Sequence, residues 1–166
     1  MKRVIILGCC GSGKSTLALK LAGKINSEVI HLDALFWKPG WVQSSSEEFI
    51  MRQESLLTGD KWIVDGNYNG TLDLRLEPAD TVIYLDFPTS LCLYRIVKRR
   101  VMYQGKTRPD MARDCPEKID LEFFNYVRTF NRKKAPAIKK KLTNLEGKKV
   151  YLFKNSRQVE QFLHQL

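Results

Sequence analysis

Short apolar runs and helical periodicities alternate along this chain. Val4-Ile5-Ile6-Leu7 is apolar and rich in β-branched residues, which predicts a buried parallel strand. Leu17 to Ala22 predicts a helix. Val29 to Asp33 predicts a second strand that ends in a carboxylate, followed by a loop holding Phe36, Trp37, Pro39, Gly40 and Trp41. Ser44 to Glu48 opens the next helix. Ser45 and Glu48 have capping-box spacing, and Phe49, Ile50, Leu56 and Leu57 share one helical face. Lys61 to Asn67 predicts a third strand, closed by the turn signal Asp65-Gly66. Thr81 to Pro88 predicts a fourth, and a helix over about Ser90–Tyr103 carries Leu91, Tyr94, Ile96, Val97 and Val101. Residues 104–118 hold Gly105, Pro109 and Pro116 among charges and predict a mobile loop. A long helix is expected over 119–142, interrupted at Pro136. Lys149–Phe153 predicts a fifth strand, and Gln158 to Leu163 a closing helix.

Strands alternating with helices imply a parallel sheet in a three-layer α/β sandwich. The 166 residues, 43% of them hydrophobic, suffice for one domain spanning 1–166. The apolar runs are far too short to span a bilayer, so no membrane partner is expected. Met1-Lys2-Arg3 and the apolar run ending at Cys9 mimic a lipoprotein signal, but that run is too short for one, and a cytoplasmic protein is expected.

The junction between the first strand and the first helix carries the chemistry. Gly8-Cys9-Cys10-Gly11-Ser12-Gly13-Lys14-Ser15-Thr16 fits G-x-x-x-x-G-K-[ST] in the strand–loop–helix context of a phosphate-binding loop. Its glycines let several backbone N–H groups converge on one spot. The helix that follows adds free N–H groups and the positive end of its dipole. Lys14 is placed to reach the β- and γ-phosphates of a nucleotide, and the Ser15 hydroxyl to ligate Mg²⁺. Asp33, Asp65 and Asp86 all stand at carboxyl ends of predicted strands, where such sheets bind ligands, and one of them is expected as a magnesium ligand.

Four cysteines, Cys9, Cys10, Cys92 and Cys115, form no zinc spacing. Cys9 and Cys10 lie inside the loop, either as small filler or as thiols activated by the helix N-terminus. The net charge of +10 is unevenly spread: residues 1–94 carry −2 and residues 95–154 carry +12. That basic segment could hold nucleic acid or the phosphates of small nucleotides.

The segments GCCGSGKST, HLDALFWKPGW, WIVDGNYNGTLDLRLEPADTVIYLDFP, LCLYRIVKRR and TRPD cover most of residues 1–130. In them the chain resembles the nucleoside-monophosphate-kinase-like branch of P-loop proteins. More closely, it is similar to the bacterial DNA topology modulation (FlaR-type) proteins. The resemblance implies an adenylate-kinase-like fold, with five parallel strands in the order 2-3-1-4-5, and ATP or another nucleoside triphosphate with Mg²⁺. Gly8, Gly13, Lys14, Ser15 and Thr16 match the phosphate loop, and Gly11 and Ser12 complete it. By the same resemblance Asp65 organises the magnesium waters, and Arg99 leads into a lid at about 104–118. Arg128 and Arg132 occupy the place of phosphate-clamping arginines, and Asn155 and Ser156 flank the adenine. Where adenylate kinases carry Phe-Pro-Arg after Asp-Gly, this chain has Asn67-Tyr68-Asn69, so an acceptor-phosphate arginine is missing there unless Arg75 replaces it. Asp33 resembles the carboxylate with which small-metabolite kinases receive a hydroxyl proton.

Three readings stand at this point. In the first, phosphoryl transfer to a small acceptor uses Lys14, Asp33, Arg99, Arg128 and Arg132, with Phe36, Trp37 and Trp41 walling the pocket. The second is a nucleotide-dependent nucleic-acid binder, in which Tyr103, Phe123, Phe124, Tyr126 and Phe130 interleave with the charges of 95–154. The third is an NTPase with no small acceptor.

Overall fold

The computed structural model describes all 166 residues. Five parallel strands form the central sheet: β1 (Arg3–Gly8), β2 (Val29–His31), β3 (Trp62–Asp65), β4 (Thr81–Leu85) and β5 (Lys149–Phe153). Their order across the sheet is β2-β3-β1-β4-β5, as expected. Val4 pairs with Ile63 on one side and Thr81 on the other, and Ile6 with Asp65 and Ile83. Helices cover both faces, so the three inner strands are buried along almost their whole length. That is why they read as continuous apolar runs rather than as alternations. Each fully buried Leu, Ile or Val contributes about 1.5–3 kcal/mol.

The helices are α1 (Lys14–Ile25), α2 (Leu32–Phe36), α3 (Ser46–Leu57), α4 (Leu72–Leu76), α5 (Thr89–Met102), α6 (Leu121–Lys133), α7 (Ala135–Thr143) and α8 (Ser156–His164). The Ser45 hydroxyl accepts the Glu48 N–H at 3.2 Å, as its spacing predicts. None of these helices is long and apolar enough to cross a membrane.

Four local expectations are corrected. The second strand stops at His31, and Asp33 sits instead on α2, because Leu32 turns inward to pack against the Gly66 backbone. The aromatic loop is a small antiparallel ribbon, Trp37–Lys38 against Val42–Gln43, closed by a 3₁₀ turn over Pro39–Trp41. The long helix is two helices that break at Lys134. Pro136 then falls in the first turn of α7, where its missing N–H costs nothing. Residues 104–118 are not loose: Gln104 bridges to Glu117 and Thr107 to Pro116.

The charge asymmetry also has a structural account. Lys139 meets Asp86 at 2.7 Å and Lys141 meets Asp73 at 2.6 Å, while Lys148 donates to the carbonyls of Glu77 and Ala79. Part of the basic segment therefore folds back onto acidic and carbonyl groups of the first half. Phe130 is buried in the core, and Phe123 and Tyr126 are half-buried against it. Of the five aromatic residues that interleave with these charges, only Phe124 is exposed.

Candidate active site

The loop after β1 lines one end of a cleft through Cys10, Gly11, Gly13 and Lys14. Gly8 and Gly11 are needed there for contact as well as conformation. A Cβ on Gly8 would lie 2.7 Å from the Leu85 carbonyl oxygen, and one on Gly11 would lie 2.4 Å from that of Cys92, with φ at +82°. Gly13 caps α1 in the left-handed region. The Asn67 side chain clamps the Gly8 peptide from both sides, accepting its N–H at 3.1 Å and donating to its carbonyl at 2.8 Å. Lys14 Nζ turns back onto the carbonyls of Gly8 and Cys9, at 3.0 and 3.2 Å. The Ser12 hydroxyl is buried without a partner. A cationic lysine held only by loop carbonyls, beside glycines with no room for side chains, fits a phosphate chain.

Ser15 and Thr16, in the first turn of α1, line the same cleft, as does Asp65 at the end of β3. Asp65 is buried and holds His31 Nδ1 at 2.7 Å. Burial pulls the His31 imidazole down, but the Asp65 hydrogen bond and the surrounding carboxylates outweigh it and leave it above its ordinary value. No group of three or more His, Cys, Asp or Glu side chains forms a metal cage. A hydroxyl and a single carboxylate suit Mg²⁺, which keeps its waters and takes few protein ligands. Asp86 does not share this edge, because its carboxylate is turned toward Lys139.

The cleft encloses about 1010 Å³ and runs from the phosphate loop to the β2–β3 side of the sheet. There Asp33 Oδ1 accepts the Tyr68 hydroxyl at 2.8 Å. Tyr68 is held at φ +31°, a costly conformation for an aromatic residue. Its ring packs on Phe36 and Phe49 at 5.0 and 4.9 Å between centroids. Burial first, then the Asp33 charge, pushes the Tyr68 phenol up, so it stays a donor. Phe36, Trp37 and Trp41 line this end, as the sequence suggests.

The arginines sort differently from expectation. Arg99 lines the cleft, but its Nε is 2.8 Å from Glu117 Oε1. Glu117 is buried, and its second oxygen lies 2.8 Å from Arg108 Nε, while Arg108 Nη1 reaches Asp110 at 2.9 Å. This cluster ties residues 108–117 to α5. Arg128 and Arg132 are exposed and do not line the cleft. The reason is helical phase: α6 turns Phe123, Tyr126 and Phe130 toward the cleft, and Arg128 and Arg132 fall on the opposite side. Arg75 is not an acceptor arginine either. It is fully buried, bonded to Gln53 Oε1, Thr71 Oγ1 and the Asn67 carbonyl, and burial pulls its guanidinium down to about 10. Asn155 does not line the cleft; its side chain accepts the Gln158 N–H and caps α8.

Three residues were missed. Arg95 donates to the Ser12 carbonyl at 3.1 Å and to Ser156 Oγ at 3.0 Å, and it joins the cleft to a smaller cavity of about 340 Å³ beside Phe87 and Ser156. It lies four residues before Arg99 on a predicted helix, so helical spacing could have found it. Asn67 and Tyr68 carried no such signal. The activated-thiol reading of Cys9 and Cys10 is corrected. Contact with Cys92 and burial push the Cys9 thiol up, and burial outweighs Lys14 at Cys10.

No family model matches the chain, and no curated protein does. Solved structures do. A shikimate kinase from Acinetobacter baumannii, in complex with shikimate, aligns over 99% of this chain and 90% of its own, at 16% identity and a TM-score of 0.61. A shikimate kinase from Bacteroides thetaiotaomicron aligns over 99% and 95%, at 17% identity and 0.55. A gluconokinase from Sinorhizobium meliloti 1021 aligns over 99% and 88%, at 13% identity and 0.54. The chain has the fold of these P-loop kinases.

Proposed function

We propose that the protein is an ATP- and Mg²⁺-dependent kinase that transfers a phosphoryl group to a hydroxyl of a small acceptor. One observation carries the reading: a single cleft joins the phosphate-binding loop to a carboxylate, Asp33, held by a neutral phenol. Lys14, released from the Gly8 and Cys9 carbonyls, takes the donor phosphates together with the loop N–H groups. Arg95 and Arg99 face the same volume and supply further positive charge. Ser15 and Asp65 would hold Mg²⁺, which neutralises charge on the phosphate oxygens when bound. Asp33 orients the acceptor hydroxyl and receives its proton as the oxygen–phosphorus bond forms. The bond from the transferred phosphorus to the bridging oxygen breaks, and that oxygen leaves with the diphosphate. The lid segment, pinned through Glu117, keeps water from competing.

The similarity to FlaR-type proteins rests on the sequence motifs, and the site gives a role on DNA no support. ADP formation, followed over a panel of nucleosides, nucleotides and hydroxylated metabolites, tests the proposal. Lys14→Ala should lower acceptor-stimulated turnover by roughly 10²–10³-fold, the size expected for a group stabilising transition-state charge, with an unchanged circular dichroism spectrum. Equal turnover in parent and variant would refute it.

A further inference from the structure

We infer that the acceptor is an uncharged alcohol carrying an apolar ring face, rather than a phosphate or carboxylate. This deepens the kinase reading and rests on it. Three independent features of the β2–β3 end of the cleft point the same way.

The first is charge. Asp33 and Asp110 both line the cleft, and a ligand anion placed beside them would be repelled. The arginines near that end are already committed. Arg75 is sealed beneath the Tyr68 loop, Arg52 is bonded to Glu48 and the Leu35 carbonyl, and Arg108 lies between Asp110 and Glu117. Lys118 stands over the Trp41 ring, 4.8 Å from its centroid. Arg99 keeps its two terminal nitrogens free, but the proposed reaction places them on the donor phosphates, so no arginine is left over to grip an acceptor phosphate or carboxylate with a fork of donors.

The second is surface. Trp37 makes edge contacts at 5.1 Å with both Phe36 and Trp41, and all three rings remain only half-buried along the cleft. An apolar wall without a ligand to cover it is expensive to maintain. A ring or other flat apolar face would bury it.

The third is strain. Of the four non-glycine residues with positive φ, the two aromatic ones, Trp41 at +62° and Tyr68 at +31°, both line this cleft. Such conformations persist where the surroundings over-determine them, and they gather at binding sites. Trp41 is fixed by its Nε1 donating to the Pro116 carbonyl at 3.1 Å, and by the Gly40 N–H donating to that of Asp114 at 3.0 Å. With Asp33 Oδ1 occupied by Tyr68, Oδ2 has no protein donor and is left for one hydroxyl. The pocket thus offers one hydroxyl acceptor, an aromatic wall and no anion clamp beyond the one that serves the donor phosphates. Transfer there converts the alcohol to its phosphate monoester, with the hydroxyl proton leaving through Asp33.

Matched pairs test the inference: a nucleoside against the same nucleoside phosphorylated away from its free primary hydroxyl, and benzyl alcohol against a hydroxymethylbenzoate. Each is titrated by tryptophan fluorescence with a non-hydrolysable ATP analogue, then assayed for phosphorylated product by mass. At least one uncharged member should quench fluorescence and be phosphorylated, with kcat/KM roughly 100-fold above its anionic counterpart, which equals about 2.7 kcal/mol. Trp37→Ala should weaken its binding about tenfold while ATP-analogue binding holds. Preference for the anionic members, or no binding of any uncharged one, would overturn the inference. Binding of uncharged members, sensitive to Trp37→Ala but followed by no phosphorylation, would uphold the ligand class and refute the kinase reading.

Discussion

Replacing Tyr68 with Phe removes one oxygen and leaves the ring packing against Phe36 and Phe49 in place. The lost contact is a 2.8 Å hydrogen bond from a neutral phenol to the Asp33 carboxylate. Bonds to charged groups are worth about 1.5–3 kcal/mol. In the folded protein alone the loss should fall at or below the low end, because Asp33 faces the cleft and water can replace the phenol. During transfer the position is different. In the proposed reaction Asp33 presents its second oxygen to the acceptor, and without Tyr68 its side chain loses the hydrogen bond that orients it. If the full contribution is felt there, kcat falls about 10- to 150-fold, at 1.36 kcal/mol per tenfold. KM for ATP should stay within about twofold, since the Tyr68 hydroxyl bonds Asp33 and no group of the phosphate loop, and a loss of about 1 kcal/mol would lower Tm by about 2–4 °C. Steady-state kinetics against both substrates, with calorimetry alongside, reads all three. A kcat within twofold of the parent, together with a clear drop in Tm, would make Tyr68 a packing residue and remove its hold on Asp33.

Other perturbations probe other parts of the fold. Gly11→Ala forces a Cβ into the Cys92 carbonyl at 2.4 Å, with φ already at +82°. It should cost about 1–3 kcal/mol in backbone strain alone and abolish ATP-analogue binding by calorimetry; retained binding would contradict the loop geometry. Glu117→Gln leaves Arg99 and Arg108 facing each other without their anion, a loss of about 3–5 kcal/mol for a broken buried pair. Limited proteolysis within 104–118 and acceptor-independent ATP hydrolysis should both rise; an unchanged cleavage pattern would show that Glu117 does not hold the lid. Asp80 is partly desolvated, which raises its carboxyl. The Thr81 hydroxyl and the Arg3 and Lys2 N–H groups outweigh that and leave it below the ordinary range. A depressed folded-state value contributes stability above the unfolded value, near 3.8, and that contribution is lost as pH falls through the folded one. Asp80→Asn should therefore lower Tm at neutral pH and flatten its decline below about pH 5, checked by thermal melts across that range.

The sheet was legible because parallel strands covered on both faces must be apolar almost throughout, and Val4 to Leu7 and Val82 to Leu85 are. The phosphate loop was legible because its chemistry resides in backbone N–H groups, which only a particular spacing of glycines can present. The acceptor side was not. Two-residue strands such as Trp37–Lys38 leave no periodicity to read, and a left-handed tyrosine has no sequence signature. Two misplacements were avoidable. Arg75 lies three residues after Leu72 and one before Leu76, on the buried side of α4, and Arg128 and Arg132 are out of phase with the aromatic residues of α6. Motif position suggested roles that helical phase denies.

The strain at Trp41 and Tyr68 also joins two parts that the sequence presents as separate. Tyr68 is fixed from below, since Arg75 bonds the Asn67 carbonyl and Thr71 on either side of it. Trp41 is fixed from above, by carbonyls of Asp114 and Pro116 that belong to the lid segment. Cys115 reaches the Lys38 carbonyl of the same ribbon at 3.3 Å. Were residues 104–118 to lift as the proposed lid, the contacts that hold Trp41 in its unfavourable conformation would break and the wall would relax. In the proposed enzyme, closure of that segment and formation of the acceptor wall are one event, because the same hydrogen bonds serve both. An acceptor that covers the aromatic wall stabilises the closed lid by that route, and water, which gains nothing from an apolar face, does not.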